Sequence, residues 1–143
     1  MILITIELVE NMKINLITIR THLDDSIKQE KIIELRTYMT NIITKKREDE
    51  TDEKHYYFVK RLLQFWTGFN YYNKKADEQG GYKITYKYHG ENIKTTNWPE
   101  SHTCFYQLDV FGYGDKITPQ EKEDYLYMNL NNSINGSPGM DIQ

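Results

Sequence analysis

Alternating apolar and polar positions mark two segments of this chain as strands of a sheet. Residues 82–88 (YKITYKY) alternate without interruption, and their tyrosine and isoleucine positions fall on one face. Residues 103–110 alternate less regularly and predict a second strand, in which neighbouring side chains point to opposite faces. One face would hold Cys104, Tyr106, Leu108 and Val110, and the other Phe105, Gln107 and Asp109. Residues 1–19 suit both a strand and a helix, and both interpretations stay open.

Apolar residues at helical spacing predict three helices. The first runs from about residue 26 to 44, with Ser26 as its N-cap and Gln29 completing a capping box. The second follows Thr51 as N-cap and stops at Gly68, and the third begins after Thr118. The residues expected on their buried faces are Ile32, Leu35, Met39, Ile42, Ile43, Tyr56, Phe58, Val59, Leu62, Leu63, Phe65, Trp66, Tyr125, Leu126, Leu130 and Ile134. The pattern therefore predicts an α/β fold, with helices packed on a small sheet of three or four strands.

The polar segments between these elements are expected to form loops. Residues 47–53 are highly charged and predict a solvated connector, and residues 70–81 predict a loop that ends in two glycines. Residues 89–97 would turn the chain toward the second strand. From Asn131 onward the composition shifts to Asn, Ser, Gly and Pro, so we expect a frayed helix end and a disordered tail over residues 135–143.

Composition and charge exclude several classes of function. The formal net charge is −3 and the sequence pI is about 5.8, which disfavours electrostatic binding of nucleic acid. The single cysteine rules out an internal disulfide and a four-cysteine zinc site, and a free thiol fits a reducing compartment. No apolar run approaches the ~18 residues that a membrane span requires. We therefore expect a cytoplasmic protein, with the nucleus as a second location and without a membrane partner.

Metal and cofactor sites are not expected from the residue spacings. His22, His55 and His89 have no metal-ligand spacing with Cys104. The sequence also contains no glycine-rich loop of the kind that holds a phosphate. These observations predict neither a metal ion nor a cofactor.

Cys104 is the candidate nucleophile, because it lies where a loop meets the predicted strand. A free cysteine has a pKa near ~8.5, so neighbouring donors matter for forming the thiolate. His102 would point to the same side as Cys104 in an extended segment, and Thr103 offers a hydroxyl or a backbone N–H to a developing oxyanion. A lone cysteine is more often a small buried apolar residue, so these residues alone leave both interpretations open.

Two motifs of the chain resemble the catalytic domain of HECT-type ubiquitin ligases. Residues 99–108 (PESHTCFYQL) are similar to Pro-x-Ala/Ser-x-Thr-Cys-Phe-Asn-x-Leu, the pattern around the catalytic cysteine of that family. Residues 63–68 (LQFWTG) resemble the Leu-Gln-Phe-Val-Thr-Gly that opens the family's C-terminal lobe. The chain departs from the family at Trp98, where Leu is usual, and at Tyr106, where Asn is usual.

The resemblance implies a domain organisation and a reaction. Residues 51–134 would form a catalytic domain like the HECT C-terminal lobe, and residues 1–50 would be an N-terminal extension or a remnant of the preceding lobe. Cys104 would accept ubiquitin from a ubiquitin-conjugating enzyme as a thioester and pass it to a lysine of a protein substrate. Because one thioester replaces another, the protein would contribute mainly by holding the reacting groups in the correct positions.

The positions of the residues around Cys104 suggest supporting roles. His102 and Thr103 would assist catalysis, although a loop histidine is more often simply exposed, and Phe105 would anchor the thiol from the core beneath it. Asp109 would order the acceptor amine, although a carboxylate on a strand face is more often solvated.

Two other functions remain as alternatives. The large N-terminal lobe that binds the conjugating enzyme is expected to be missing, which favours a non-enzymatic remnant that holds ubiquitin without a covalent bond. A papain-like cysteine hydrolase carries its cysteine on a helix, and the strand predicted around Cys104 argues against it.

Overall fold

The structure, a computed structural model, describes residues 2–18, 22–78, 80–88, 98–112 and 118–136 as a mixed α/β fold with a four-stranded sheet. Its elements in chain order are α1 (Ile2–Glu10), β1 (Met12–Thr18), α2 (Asp25–Thr44), α3 (Asp52–Thr67), α4 (Lys75–Glu78), β2 (Tyr82–Tyr88), β3 (Glu100–His102), a 3₁₀ turn (Thr103–Phe105), β4 (Gln107–Phe111) and α5 (Pro119–Gly136). The predicted α/β class and the strand at residues 82–88 are confirmed. In the described segments, every helix is too short or too polar to cross a bilayer.

The strands lie in the order β1-β2-β4-β3. The β1–β2 and β2–β4 pairs are parallel, and the β3–β4 pair is antiparallel. Met12 aligns with Tyr82, and Ile84 with Leu108, so these side chains share one face of the sheet. That apolar face joins buried side chains of α2, α3 and α5 in one core.

The opposite face of the sheet is mainly polar and carries the candidate site. The register aligns Lys13 with Lys83, and Thr85 with Asp109, on this face. Lys87 lies two residues beyond Thr85 and therefore points the same way. The sheet thus separates an apolar core on one side from a set of charged side chains on the other.

Three of the predicted helix ends are confirmed by their hydrogen bonds. The Thr51 hydroxyl accepts from the Lys54 N–H at 3.2 Å, and α3 ends at Gly68 in the left-handed conformation with φ of 87°. The Thr118 hydroxyl accepts from the Glu121 N–H at 3.2 Å, which caps the predicted start of the third helix, and it donates to the Glu121 carboxylate at 3.0 Å.

Other predicted boundaries are corrected. The first long helix begins at Asp25 rather than after Ser26, because the Asp24 carbonyl already accepts the Lys28 N–H at 3.0 Å. The expected loop at residues 70–81 contains the short helix α4. The expected fraying from Asn131 is wrong as far as Gly136, because Ser133 and Ile134 are buried and hold the last turns of α5.

Most residues expected on the buried helix faces are buried. Tyr56 and Tyr125 are exceptions, with 38% and 49% of their surface exposed, and Ile32 is only partly buried. Tyrosine suits both the rim and the interior of a core, so its position on the helix does not decide its burial. The predicted turn at residues 89–97 and the predicted tail beyond residue 136 lie outside the described residues.

Residues 1–19 contain both of the structures that their pattern allowed. A helix over Ile2–Glu10 is followed by a strand over Met12–Thr18 that pairs with β2 along its whole length. The division of the chain at residue 50 stays a prediction. Nevertheless, β1 and α2 share one sheet and one core with the elements that follow them.

The charged connector at residues 47–53 is not simply solvated. The Arg47 guanidinium lies 3.3 Å from the Glu123 carboxylate and 4.4 Å from the centre of the Tyr127 ring. The Tyr127 hydroxyl donates to the Glu50 carboxylate at 2.9 Å. No local sequence pattern indicates these partners, because they lie more than 70 residues away on α5.

The Tyr127–Glu50 contact predicts a loss of stability at alkaline pH. Burial and the Glu50 carboxylate raise the pKa of Tyr127 to about 12, whereas the unfolded chain loses this proton near pH ~10. The stabilisation by neutral Tyr127 is therefore complete below pH ~10 and falls as the pH rises through about 12. In denaturant titrations at several pH values, the stability advantage over Tyr127→Phe should shrink above pH ~10. A constant difference between the two proteins would contradict this assignment.

Candidate functional site

Cys104 lies on the 3₁₀ turn that joins β3 to β4, and its side chain is exposed. The prediction of a continuous strand over residues 103–110 is therefore wrong. His102 pairs directly with Gln107 across the antiparallel strands, so residues 103–106 form the connection of a hairpin. The cysteine is consequently presented at the tip of a turn rather than on the face of the sheet.

The left-handed backbone of Tyr106 creates this turn. Its φ of 51° and ψ of 44° make it the only non-glycine residue with positive φ among those described. This conformation costs an ordinary side chain roughly 1–2 kcal/mol. An asparagine, which the resembling family has at this position, tolerates it better. The conformation must therefore be held by the surrounding contacts.

The backbone and the side chain of Tyr106 both form hydrogen bonds with neighbouring residues. Its N–H donates to the Thr103 carbonyl at 3.2 Å, and its carbonyl accepts from the Lys83 N–H at 2.9 Å. The Trp66 indole N–H donates to the same carbonyl at 3.1 Å, and the Asn73 amide donates to the Tyr106 hydroxyl at 3.0 Å. The first of these hydrogen bonds closes the turn that carries Cys104, and the other three fix it to β2, α3 and the loop before α4.

The end of α3 packs against the same turn. Trp66 is fully buried, and its indole N–H also lies 3.0 Å from the Lys83 carbonyl. A side chain at Gly68 would place its first carbon 3.9 Å from the Thr103 side chain, so the helix end and the turn are close neighbours. The segments at residues 63–68 and 99–108, which carry the two sequence motifs, therefore meet in the structure.

A buried carboxylate, Asp109, organises the polar side of the hairpin. One of its oxygens lies 2.8 Å from His102 Nε2 and 3.2 Å from the Lys87 ammonium. The other accepts from the Gln107 amide at 2.9 Å. Asp109 is only 2% exposed, so the expectation of a solvated carboxylate is wrong. The polar partners compensate for its burial.

These partners keep Asp109 ionised. Burial alone would raise the pKa of Asp109, but hydrogen bonds from Gln107, His102 and Lys87, together with the charge of Lys87, lower it below its usual value. An ionised carboxylate only accepts hydrogen bonds, so His102 Nε2 carries the proton in this contact. The other ring nitrogen, Nδ1, is then the one that can accept a proton when the ring is neutral.

Glu100, His102 and Asp109 form a group with metal-ligand chemistry. One ligand atom from each residue lies within 4.8 Å of the others. The Lys87 ammonium and His102 Nε2 contact the same Asp109 oxygen, so this oxygen is already occupied and is not available as a ligand of a metal ion. The arrangement therefore favours an ion-paired and hydrogen-bonded cluster over a metal site.

Phe105 does not anchor the thiol in the core. Its side chain is 65% exposed, because it lies on the outer side of the hairpin tip. The anchoring contacts are made instead by Trp66 and by the backbone of Tyr106. Trp98, just before the hairpin, is also 51% exposed. Thus aromatic side chains lie on the surface on both sides of Cys104 in the sequence.

Sequence reasoning identified Cys104, His102, Thr103 and Asp109 but missed other residues of the site. In the sequence, Lys87 is one of the polar residues of the alternating strand at residues 82–88. Glu100 lies at a position of the cysteine motif for which the pattern specifies no residue. Their roles depend on β2, β3 and β4 lying side by side, and no local sequence signal reports this pairing.

No protein-family model matches this chain, and no curated protein matches it.

Proposed function

We propose that this chain is a ubiquitin-transferring domain like the C-terminal lobe of HECT-type ligases, with Cys104 as the residue that carries ubiquitin. Its partners are ubiquitin, a ubiquitin-conjugating enzyme and a protein substrate, and its place is the cytoplasm or nucleus. The proposal starts from the two sequence motifs and uses the chemistry available around the thiol.

The observation that carries the proposal is the meeting of the two motifs. They are separated by 30 residues of weak resemblance, yet Trp66 of the first donates a hydrogen bond to Tyr106 of the second. The first motif thereby supports the turn that exposes Cys104 to solvent. An exposed thiol on a rigid support suits exchange with a large partner better than a thiol enclosed in a cavity.

Thioester formation exchanges one carbon–sulfur bond for another. The Cys104 thiolate attacks the carbonyl carbon at the ubiquitin C-terminus, and the conjugating enzyme leaves as its own thiolate. The proton released from Cys104 is taken up by solvent or by the departing thiolate. The Thr103 side chain lies beside Gly68 at the end of α3. We therefore assign the role of donor to the developing oxyanion to the Thr103 backbone N–H, which is next to Cys104 in the turn, and not to the Thr103 hydroxyl.

Transfer to a lysine then requires a neutral amine. The amine nitrogen attacks the thioester carbonyl, an amide bond forms, and the Cys104 sulfur leaves. His102 is the proposed proton acceptor through Nδ1, because its Nε2 is held by Asp109 at 2.8 Å. Asp109 acts as a positioning residue that fixes the orientation of the His102 ring. This role replaces the expected one, in which Asp109 itself ordered the acceptor amine.

The decisive experiment is thioester transfer from a ubiquitin-loaded conjugating enzyme, followed on a non-reducing gel. The native chain should acquire a ubiquitin adduct that dithiothreitol removes, and Cys104→Ala should acquire none. Cys104→Ser should give an adduct that resists dithiothreitol, because an oxygen ester replaces the thioester. Equal labelling of the native chain and Cys104→Ala would contradict the proposal. So would the absence of any adduct at high concentrations of the conjugating enzyme.

Non-covalent ubiquitin binding is a second candidate function. The exposed aromatic side chains Phe105 and Trp98 favour it, because large exposed apolar groups often mark a protein contact. Titration of isotope-labelled ubiquitin with Cys104→Ala should then shift ubiquitin resonances, and Phe105→Ser should weaken the shifts. A binding signal without any thioester would favour this candidate over transfer.

A further inference from the structure

Glu100 is an exposed carboxylate beside the proposed catalytic residues. It lies two residues before His102 on β3, so the two side chains project from the same face of the strand. Across the hairpin it pairs with Asp109. Its carboxylate oxygen lies within 4.8 Å of both the His102 ring nitrogen and the Asp109 oxygen. The 3₁₀ turn that carries Cys104 follows directly after β3.

The carboxylates of Glu100 and Asp109 differ in how many partners they already have. Asp109 is 2% exposed and is occupied by Lys87, His102 and Gln107. Glu100 is exposed and makes no ion pair or side-chain hydrogen bond in the part of the chain that the structure describes. A cation that approaches Cys104 along this edge therefore meets Glu100 as the carboxylate that the described residues leave without a partner.

We propose that Glu100 is a specificity-determining residue that selects a positively charged acceptor, the ammonium group of a lysine, over an uncharged nucleophile. This inference rests on the proposed function, because it concerns the second step of transfer. Glu100 attracts the ammonium group to the edge of β3, next to the ring that accepts its proton. The motif position that Glu100 occupies is unspecified in the resembling family's pattern, so the selection belongs to this chain's own residue.

The step balances as an aminolysis. The ammonium group bound by Glu100 gives one proton to His102 Nδ1 and becomes a neutral amine. Its nitrogen forms the bond to the thioester carbon while the bond from that carbon to the Cys104 sulfur breaks. The second proton lost by nitrogen passes to the sulfur or to solvent, and His102 returns its proton to solvent. No oxidant, reductant or further reactant is required.

The test distinguishes attraction of a charged acceptor by Glu100 from a general effect on the reactivity of the Cys104 thioester. The ubiquitin-loaded chain is purified and then mixed with free lysine or with hydroxylamine, which is uncharged at neutral pH. Glu100→Arg should slow discharge to lysine by about tenfold, since it reverses the charge at contact distance from the acceptor. Discharge to hydroxylamine should stay within about twofold of the native rate. Glu100→Gln should give an intermediate loss with lysine alone.

Glu30→Arg is the matched control, because it makes the same charge change at an exposed position on α2. It should leave both discharge rates unchanged. Arginine is used because an introduced lysine would itself be an acceptor.

Three results would overturn the inference. Equal slowing with lysine and hydroxylamine would show general damage to the site, and an unchanged lysine rate would show that Glu100 does not bind the acceptor. If Glu30→Arg slows discharge to lysine as much as Glu100→Arg does, the effect comes from net charge alone. These results differ from failure of the proposed function, in which the native chain forms no thioester at all.

Discussion

Replacing Trp66 by alanine is expected to lower the free energy of unfolding by about 3–5 kcal/mol, the usual cost of removing a large aromatic side chain from a core. Trp66 is fully buried, and its ring packs edge-on against Tyr82 with ring centres 5.6 Å apart. Its indole N–H also donates hydrogen bonds to the carbonyls of Lys83 and Tyr106. Urea denaturation followed by circular dichroism would measure the loss.

Trp66→Phe separates the hydrogen bonds from the packing. It keeps an aromatic ring but removes the indole N–H, so a smaller loss of about 1–3 kcal/mol is expected. The Tyr106 carbonyl would keep only the Lys83 N–H as donor, and the turn around Cys104 should become less rigid. Because the chain has one cysteine, modification by a thiol reagent reports on this turn directly. The rate of Cys104 modification should change in Trp66→Phe under conditions where the protein remains folded. An unchanged rate would show that the indole hydrogen bond does not support the turn.

Replacing Asp109 by alanine is expected to cost about 3 kcal/mol, at the lower end of the range for breaking a buried ion pair. The carboxylate is 2% exposed, but its partner Lys87 is 30% exposed and keeps some contact with water. Without Asp109, the partly buried donors of Lys87 and Gln107 lose their acceptor. The same substitution should slow transfer to lysine, because the His102 ring loses the partner that orients it.

The double variant Lys87→Met with Asp109→Ala tests this explanation. If the cost comes from leaving the Lys87 charge unpaired, removing that charge should restore part of the stability lost in Asp109→Ala. Transfer activity should not recover, because His102 still lacks its carboxylate. A double variant whose cost equals the sum of the two single costs would show that Lys87 and Asp109 are not coupled.

The local elements of this fold were predictable because each is encoded by neighbouring residues. The strand at residues 82–88 follows from strict alternation, and its bounds match the prediction. Helix α3 follows from the spacing of its apolar residues, from the Thr51 cap and from the Gly68 stop, which all lie within one segment of 18 residues. Cys104 stood out as a single thiol in a motif, and its exposure fits an exchange reaction.

The geometry of the candidate site depended on partners far apart in the sequence. Residues 103–110 alternate as a strand would, but Tyr106 takes a left-handed conformation, because Trp66 and Lys83 supply hydrogen bonds that offset its strain. Asp109 is buried because Lys87 on the adjacent strand and His102 across the hairpin satisfy its oxygens. The sequence by itself therefore determined the helix ends at Thr51, Gly68 and Thr118, strand β2 and the motif around the cysteine. Only the tertiary structure decided the hairpin, the burial of Asp109 and the exposure of Phe105, since these depend on hydrogen bonds and ion pairs between elements that local patterns do not report.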